Sequence, residues 1–151
     1  MPELQNRINI YHLRTEDYAA AMALWQECDG IRMRQENASE TFFRRFIARN
    51  SGLCLGAWEA DRLIGAVLVG HDSRRAYLYH LGIAETHRRH GTGRRLVQAV
   101  LKELNRIGIA KAHLFVETDN GAGLAFWRAV GAEHRTDLTV FSLTVGTTTT
   151  P

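Results

Sequence analysis

At 151 residues with a formal charge of +3, the chain has material for one full hydrophobic core and only a mild excess of base. It contains no lysine-rich tail, no apolar run long enough to span a membrane and no charged-then-apolar leader at Met1–Asn6, so neither nucleic acid nor membrane is an expected partner. Its two cysteines, Cys28 and Cys54, stand far apart, which argues against a disulfide framework or a Cys-type zinc site and makes a reducing cytoplasm the simplest setting.

Arg7–Leu13 alternates apolar and polar residues and predicts a first strand. Thr15 is a candidate N-cap for a helix over Glu16–Cys28, with Tyr18, Met22, Trp25 and Cys28 on one face. Asp29-Gly30 stops it, and residues 31–38 read as a loop. Ser39-Glu40 restarts a helix carrying Phe42, Phe43, Phe46 and Ile47 on its apolar side, closed by Asn50-Ser51-Gly52. Three strands follow as a meander: Leu53–Glu59, Leu63–Gly70 and Ala76–Ile83, with polar turns between them. A helix opening at the glycines 91 and 93 runs to Ile107, its stripe formed by Leu96, Val97, Val100, Leu101, Leu104 and Ile107. Ala112–Glu117 is the next strand, Asn120 caps a helix from Gly121 to Val130, and Leu138–Val145 is the final strand. The order β-α-α-β-β-β-α-β-α-β predicts an α/β fold on a mixed central sheet, as a single domain over 1–145 with 146–151 as a flexible tail.

The chemistry concentrates between His80 and Val97. An apolar strand ends at Leu81-Gly82-Ile83, and Arg88-Arg89-His90-Gly91-Thr92-Gly93-Arg94-Arg95 leads into the long helix. Glycine lets backbone approach a ligand closely, and the first N–H groups of a helix lack partners within it and carry partial positive charge. Arginines at 88, 89, 94 and 95 add forked donors for phosphate oxygens. A pyrophosphate cradle is the expected use. A plain tight turn with a solvated arginine face is the simpler alternative. A dinucleotide-binding turn fits less well, because Leu96 occupies the third glycine position and an antiparallel meander precedes the loop. His87 and His90 have no carboxylate spaced to join them, so no metal site is expected.

Arg88-x-x-Gly91-x-Gly93 resembles the Arg/Gln-x-x-Gly-x-Gly/Ala signature of the GCN5-related N-acetyltransferases, and Leu81-Gly82-Ile83 is similar to the end of that family's fourth strand. Asn120–Gly131 is similar to its second signature, and the likeness extends from about Ile8 to Val145. The resemblance implies an acetyl-CoA-dependent transferase acting on a primary amine of a small molecule, peptide or protein N-terminus. It assigns the cofactor pyrophosphate to the backbone of Arg89, His90, Gly91, Thr92 and Gly93, with Arg88 and Arg94 nearby. It gives the pantetheine arm to Leu81, Gly82 and Ile83, and lets an N–H at or near Ile83 polarise the thioester carbonyl. Asn120 would cap its helix or bond the pantetheine. The resemblance also allows a homodimer through the last strands.

Two departures from the family pattern bear on proton transfer. The position of the family's general-acid tyrosine is Trp127, whose indole N–H donates a hydrogen bond and releases no proton near neutral pH. The strand-five glutamate of relatives that acetylate a ribosomal-protein N-terminus corresponds to Phe115. Substitutes are Tyr79 or His80 on the fourth strand, expected on opposite faces of the sheet, with Glu117 and Asp72 as further carboxylates. The vacant positions also motivate a second reading, a non-catalytic acyl-CoA-binding module. On the acceptor side, Arg32 and Arg34 would favour an anionic group, a solvated loop being the plainer account.

Overall fold

The apolar run from Leu55 to Ile83 forms the centre of a five-stranded sheet in the computed structural model, which describes residue 3, residues 7–33 and residues 38–146. Strands β1 (Ile8–His12), β2 (Leu55–Glu59), β3 (Arg62–His71) and β4 (Ala76–Ile83) pair antiparallel in chain order. β5 (Ala112–Leu114) joins β4 in parallel, the one pairing that needs a helical crossover. That crossover is α3 (Thr92–Arg106). α1 (Tyr18–Gln26) and α2 (Glu40–Arg49) lie between β1 and β2, and α4 (Gly121–Ala129) follows β5. The mixed α/β order matches the expected one up to α4.

Cross-strand pairs share a face, which sorts the helices. A methyl group on Gly65, which pairs with Ile83, would meet Leu96 of α3, whereas one on Gly82, which pairs with Ala66, would meet Trp25 of α1. α3 and α1 therefore cover opposite faces, and α2 joins α1 through the contact of Phe43 with Trp25, ring centroids 6.4 Å apart. Trp25, Phe43, Ile64, Val67, Leu96 and Val100 are fully buried between these layers. Burial of each such side chain contributes about 1.5–3 kcal/mol, and this outweighs weak local helix propensity.

Several boundaries move. Thr15 opens a 3-10 turn (Thr15–Asp17) rather than capping the helix; Asp17 Oδ2 accepts from Arg14 N at 2.7 Å and fixes that turn. Ser39 does cap α2, accepting from Phe42 N at 3.0 Å. Leu101 and Ile107 lie off the buried stripe of α3, 50% and 38% exposed; Leu101 is on the outer face of the helix, and past its end Gly108 makes a left-handed turn before Ile109, which is buried in the core.

The predicted final strand is the main correction. Residues 138–145 form no strand with this sheet, and β5 stops at Leu114. Their alternating Val, Phe and Leu content suits a strand, but strand structure needs a neighbouring edge, and none of the five strands pairs with the segment. Residues 147–151 of the expected tail lie outside the described residues.

Candidate active site

β4 outlasts β5. Pairing between them covers Ala76–Leu78 with Ala112–Leu114, so from Tyr79 to Ile83 the edge of β4 that faces β5 has no strand beside it. This leaves an opening beside β4. Gly91 stands at the N-cap with φ +84°, a left-handed conformation that a side chain would strain, and the first N–H groups of the helix behind it have no side-chain cap.

Within the opening β4 carries a bulge. Ala66 pairs with Gly82 and Leu68 with Tyr79, so His80 and Leu81 together face Val67 alone. His80 absorbs the distortion at φ +57°. A left-handed histidine is uncommon, and such strain persists only where the surroundings hold it. This overturns the expectation that Tyr79 and His80 face opposite ways. The bulge breaks the two-residue alternation, and both rings lie toward α1 and α2 with centroids 6.4 Å apart. His80 packs on Trp25 at 5.5 Å, and Tyr79 meets Phe46 edge-on at 6.1 Å.

Burial sets their protonation. Desolvation pushes the His80 imidazole below its ordinary range, so it stays neutral and can accept a proton. Desolvation, with a smaller effect of Tyr77, raises the Tyr79 phenol, which keeps its proton at neutral pH. Trp25 is fully buried, and its indole N–H finds no hydrogen-bond partner among the described residues. That donor lies on the edge of the ring nearest β4. A methyl group at Gly82 would stand 3.1 Å from Trp25 Cδ1, 3.0 Å from Cys28 Sγ and 2.8 Å from Ile31 Cδ1, so only glycine fits there. These three side chains floor the opening beside the bulge.

The connection after α1 crosses the opening. Cys28 donates to Leu24 O at 3.3 Å, and Gly30 lies against the Asn120 side chain. Arg32 reaches Glu117 and Asp119 at 4.0 and 3.9 Å. Glu117 is thus an exposed partner of Arg32, and Arg34 lies outside the described residues. Asp72 sits in the β3–β4 turn, where the N–H groups of Arg75 and Arg74 at 2.7 and 2.8 Å hold its carboxyl below the usual range. Asn120 Oδ1 accepts from Gly123 N at 2.9 Å, a capping bond.

Exposed Arg88 and Arg94 and half-buried Arg95 each bond a backbone carbonyl. Arg88 Nε donates to Ile83 O at 2.9 Å, Arg94 Nη2 to Ala129 O at 2.9 Å, and Arg95 Nη2 to Ile8 O at 3.1 Å. They brace the loop against β4, α4 and β1, while Arg89 is exposed at φ +64°. Thr92 and Gly93 are buried at the root of α3, Gly93 against Phe126 of α4. The buried His87 adds an anchor that its sequence position does not reveal. Nδ1 lies 2.7 Å from Thr86 Oγ1, and Nε2 lies 3.3 Å from Glu59 Oε1 at the end of β2. Phe115 and Trp127, at the two departures, are respectively 61% exposed and partly buried. Phe115 stacks on Tyr77 at 6.2 Å, and Trp127 meets Phe126 edge-on at 5.1 Å. Among the described residues no group of three His, Cys, Asp or Glu side chains is placed to hold a metal ion.

The sequence profile of the acetyltransferase (GNAT) family matches residues 9–132, which takes in every strand and helix of the fold except the start of β1. The chain belongs to the GNAT family. Among its relatives, acetyltransferase ECA0875 of Pectobacterium atrosepticum is 30% identical over 133 residues, 88% of this chain and 89% of that protein. Acetyltransferase SG1711 of Sodalis glossinidius is 28% identical over 120 residues, 80% of this chain and 83% of that one. The PaiA N-acetyltransferase of Thermoplasma acidophilum, solved with coenzyme A, superposes with TM-score 0.74 at 23% identity, over 81% of this chain and 87% of its own. The ribosomal-protein-S18-alanine N-acetyltransferase of Escherichia coli gives 0.67 at 24%, over 82% and 76%. At these identities the superpositions establish the shared GNAT fold.

Proposed function

We propose that this GNAT chain transfers an acetyl group from acetyl-CoA to a primary amine of a small molecule, peptide or protein N-terminus, by direct attack in a ternary complex. The observation that carries the reading is the unpaired β4 edge from Tyr79 to Ile83, leading from a strained, neutral His80 to the N-terminus of α3. The residues fit the donor. The backbone of Leu81–Ile83 offers strand-like hydrogen bonds to an amide-bearing arm, and Arg89–Gly93 offer helix N-terminal N–H groups to its pyrophosphate. Arg88 and Arg94 hold that loop in shape, Asn120 closes the mouth, and an N–H at Ile83 is the donor that would steady a developing oxyanion.

Acetyl-CoA supplies the activated acyl carbon and a sulfur leaving group of ordinary thiol acidity. The chain's own part is to bind the amine beside the bulge, exclude water and move protons. The amine nitrogen bonds to the acyl carbon, the carbon–sulfur bond breaks, and the amine loses a proton that the sulfur regains. Neutral His80 is positioned to take the proton, directly or through water, and the protonated Tyr79 to give one. The buried thiols Cys28 and Cys54, the latter pushed up to about 12 by burial, suit a reducing compartment such as the cytoplasm.

Release of free thiol from acetyl-CoA, followed against a panel of small amines, peptides and protein N-termini, tests the reading. Turnover with at least one amine class, lost in Gly82→Val, is the expected result. Tight acetyl-CoA binding with no turnover across the panel would leave the non-catalytic binding module standing in its place.

A further inference from the structure

On the face of the sheet covered by α1 and α2, a groove of about 660 Å³ runs between α2 and the β3–β4 hairpin, a size suited to small ligands. Its walls are aromatic. Phe42 lies 5.8 Å from Phe46, and Tyr77 stacks on Tyr79 at 6.4 Å between ring centroids. Tyr79 belongs to this groove and to the opening alike, so the groove meets the unpaired edge of β4 at the end away from Arg88 and the glycine loop.

Two features of the groove have no use within the chain. Arg45 and Arg49, both exposed, stand one turn apart on its rim without a hydrogen-bond or ion-pair partner among the described residues. Arg44 beside them is paired with Glu40 at 3.1 Å. Like charges at that spacing repel and weaken a helix. Asn50, the C-cap of α2, is only 6% exposed; its Nδ2 donates to Phe46 O at 3.1 Å, but Oδ1 has no partner among the described residues. A buried acceptor left so is costly. Gly70 leaves this amide uncovered, and an atom seated where a Gly70 methyl would stand is 3.5 Å from Oδ1. Asp72, also lining the groove, is engaged by the N–H groups of Arg74 and Arg75, and His71 Nδ1 by Ser73 N. Arg32, which the sequence offers to an anionic acceptor, instead faces Glu117 and Asp119.

We infer that this groove selects the acceptor, a peptide N-terminus with an acidic residue in its third position. The inference rests on the acetyltransferase reading. The amine lies at the β4 bulge, an amide N–H of the peptide completes Asn50 Oδ1, and the carboxylate sits with Arg45 and Arg49. Register sets the spacing. Gly70 pairs with Tyr77, three residues before His80, which is about 10 Å along a strand. An extended peptide spans roughly 3.3–3.6 Å per residue, so its third residue reaches the arginines. A peptide brings the amide donor and the carboxylate together, and an apolar second residue suits the aromatic walls.

The test uses the full chain and three tripeptide amides that share alanine and phenylalanine and end in glutamate, glutamine or lysine. Thiol release gives kcat and KM, and calorimetry with coenzyme A present gives binding. The glutamate peptide is expected to exceed the glutamine peptide about 10-fold in kcat/KM, through KM, with the lysine peptide lowest. Arg45→Gln with Arg49→Gln, at two exposed positions, should bring the glutamate-to-glutamine ratio close to one. Gly70→Ala, which covers the Asn50 amide, should raise KM for both peptides about 3-fold or more. Equal kcat/KM for glutamate and glutamine, a preference that survives the double variant, or KM values untouched by Gly70→Ala would each overturn the inference. Binding of none of the three peptides would overturn it as well. Glutamate-selective binding without thiol release would keep the groove and remove the transferase, whereas unselective turnover would do the reverse.

Discussion

At the scale of single residues, His80 and Trp25 carry the sharpest expectations. Because burial lowers the His80 pKa, its neutral form persists to a pH below the ordinary value of about 6.5. Acetyl transfer at limiting amine is therefore expected to fall on the acid side only below that pH. His80→Gln should flatten this limb and lower kcat about 100-fold while leaving acetyl-CoA affinity in place; an unchanged pH–rate profile would remove His80 from proton transfer. The same shift acts on stability with a definite sign. Above about pH 6.5 both folded and unfolded chains hold His80 neutral, and as pH falls through 6.5 the unfolded chain takes the proton first, so stability declines toward the folded pKa and then levels off. Chemical denaturation of wild type and His80→Gln between pH 5 and about pH 7 should show that slope in the first only. Trp25 is a different case. Trp25→Phe removes a buried donor that has no described partner, whose desolvation costs about 1–3 kcal/mol, while keeping most of the packing. Its denaturation midpoint is expected to stay close to wild type, whereas Trp25→Ala should lose about 3–5 kcal/mol.

Elements decide how the site is held, and here the sequence was legible in some places and opaque in others. The meander, α3 and the glycine-bearing loop follow from alternation, from a 3.6-residue stripe and from Gly91, so these elements were legible in the sequence. The bulge in β4 could not. It depends on Val67 of β3 standing opposite two residues at once, a register that no local pattern in Tyr79–Leu81 encodes. Trp25 reads as a core residue on an amphipathic face, which it is; that its N–H edge lies beside Gly82 is a matter of helix placement. His87 likewise carries no signal in its neighbours, because its partner Glu59 is at the end of β2. That anchor is expected to set the entry of the pyrophosphate loop. His87→Ala should leave the overall secondary structure intact by circular dichroism but weaken acetyl-CoA binding by about 3- to 10-fold, from the loss of roughly 1 kcal/mol of hydrogen bonding. Equilibrium dialysis with acetyl-CoA reads the effect, and an unchanged dissociation constant would mean that the Arg88, Arg94 and Arg95 contacts position the loop unaided.

For the whole molecule, the misplaced last strand has a physical explanation. Composition marks Leu138–Val145 as strand-forming, because β-branched and aromatic residues on both faces ask for cover on both faces, yet the segment forms no strand in this sheet. Composition does not say whose sheet supplies the cover. If the homodimer that the family resemblance allows forms through this segment, a second copy supplies the cover and the stability of the fold becomes tied to protomer concentration. The size of that link follows from elementary quantities. A tenfold rise in concentration favours a dimer by about 1.4 kcal/mol, and unfolding two chains of this length carries an entropy of about 0.6 kcal/mol per kelvin. The thermal midpoint should therefore climb by about 2 °C for each tenfold increase. Scanning calorimetry across two decades of concentration measures it. Phe141→Asp with Leu143→Asp should melt lower and at one temperature throughout, and a wild-type midpoint indifferent to concentration would show that the apolar segment contributes nothing to the folded assembly.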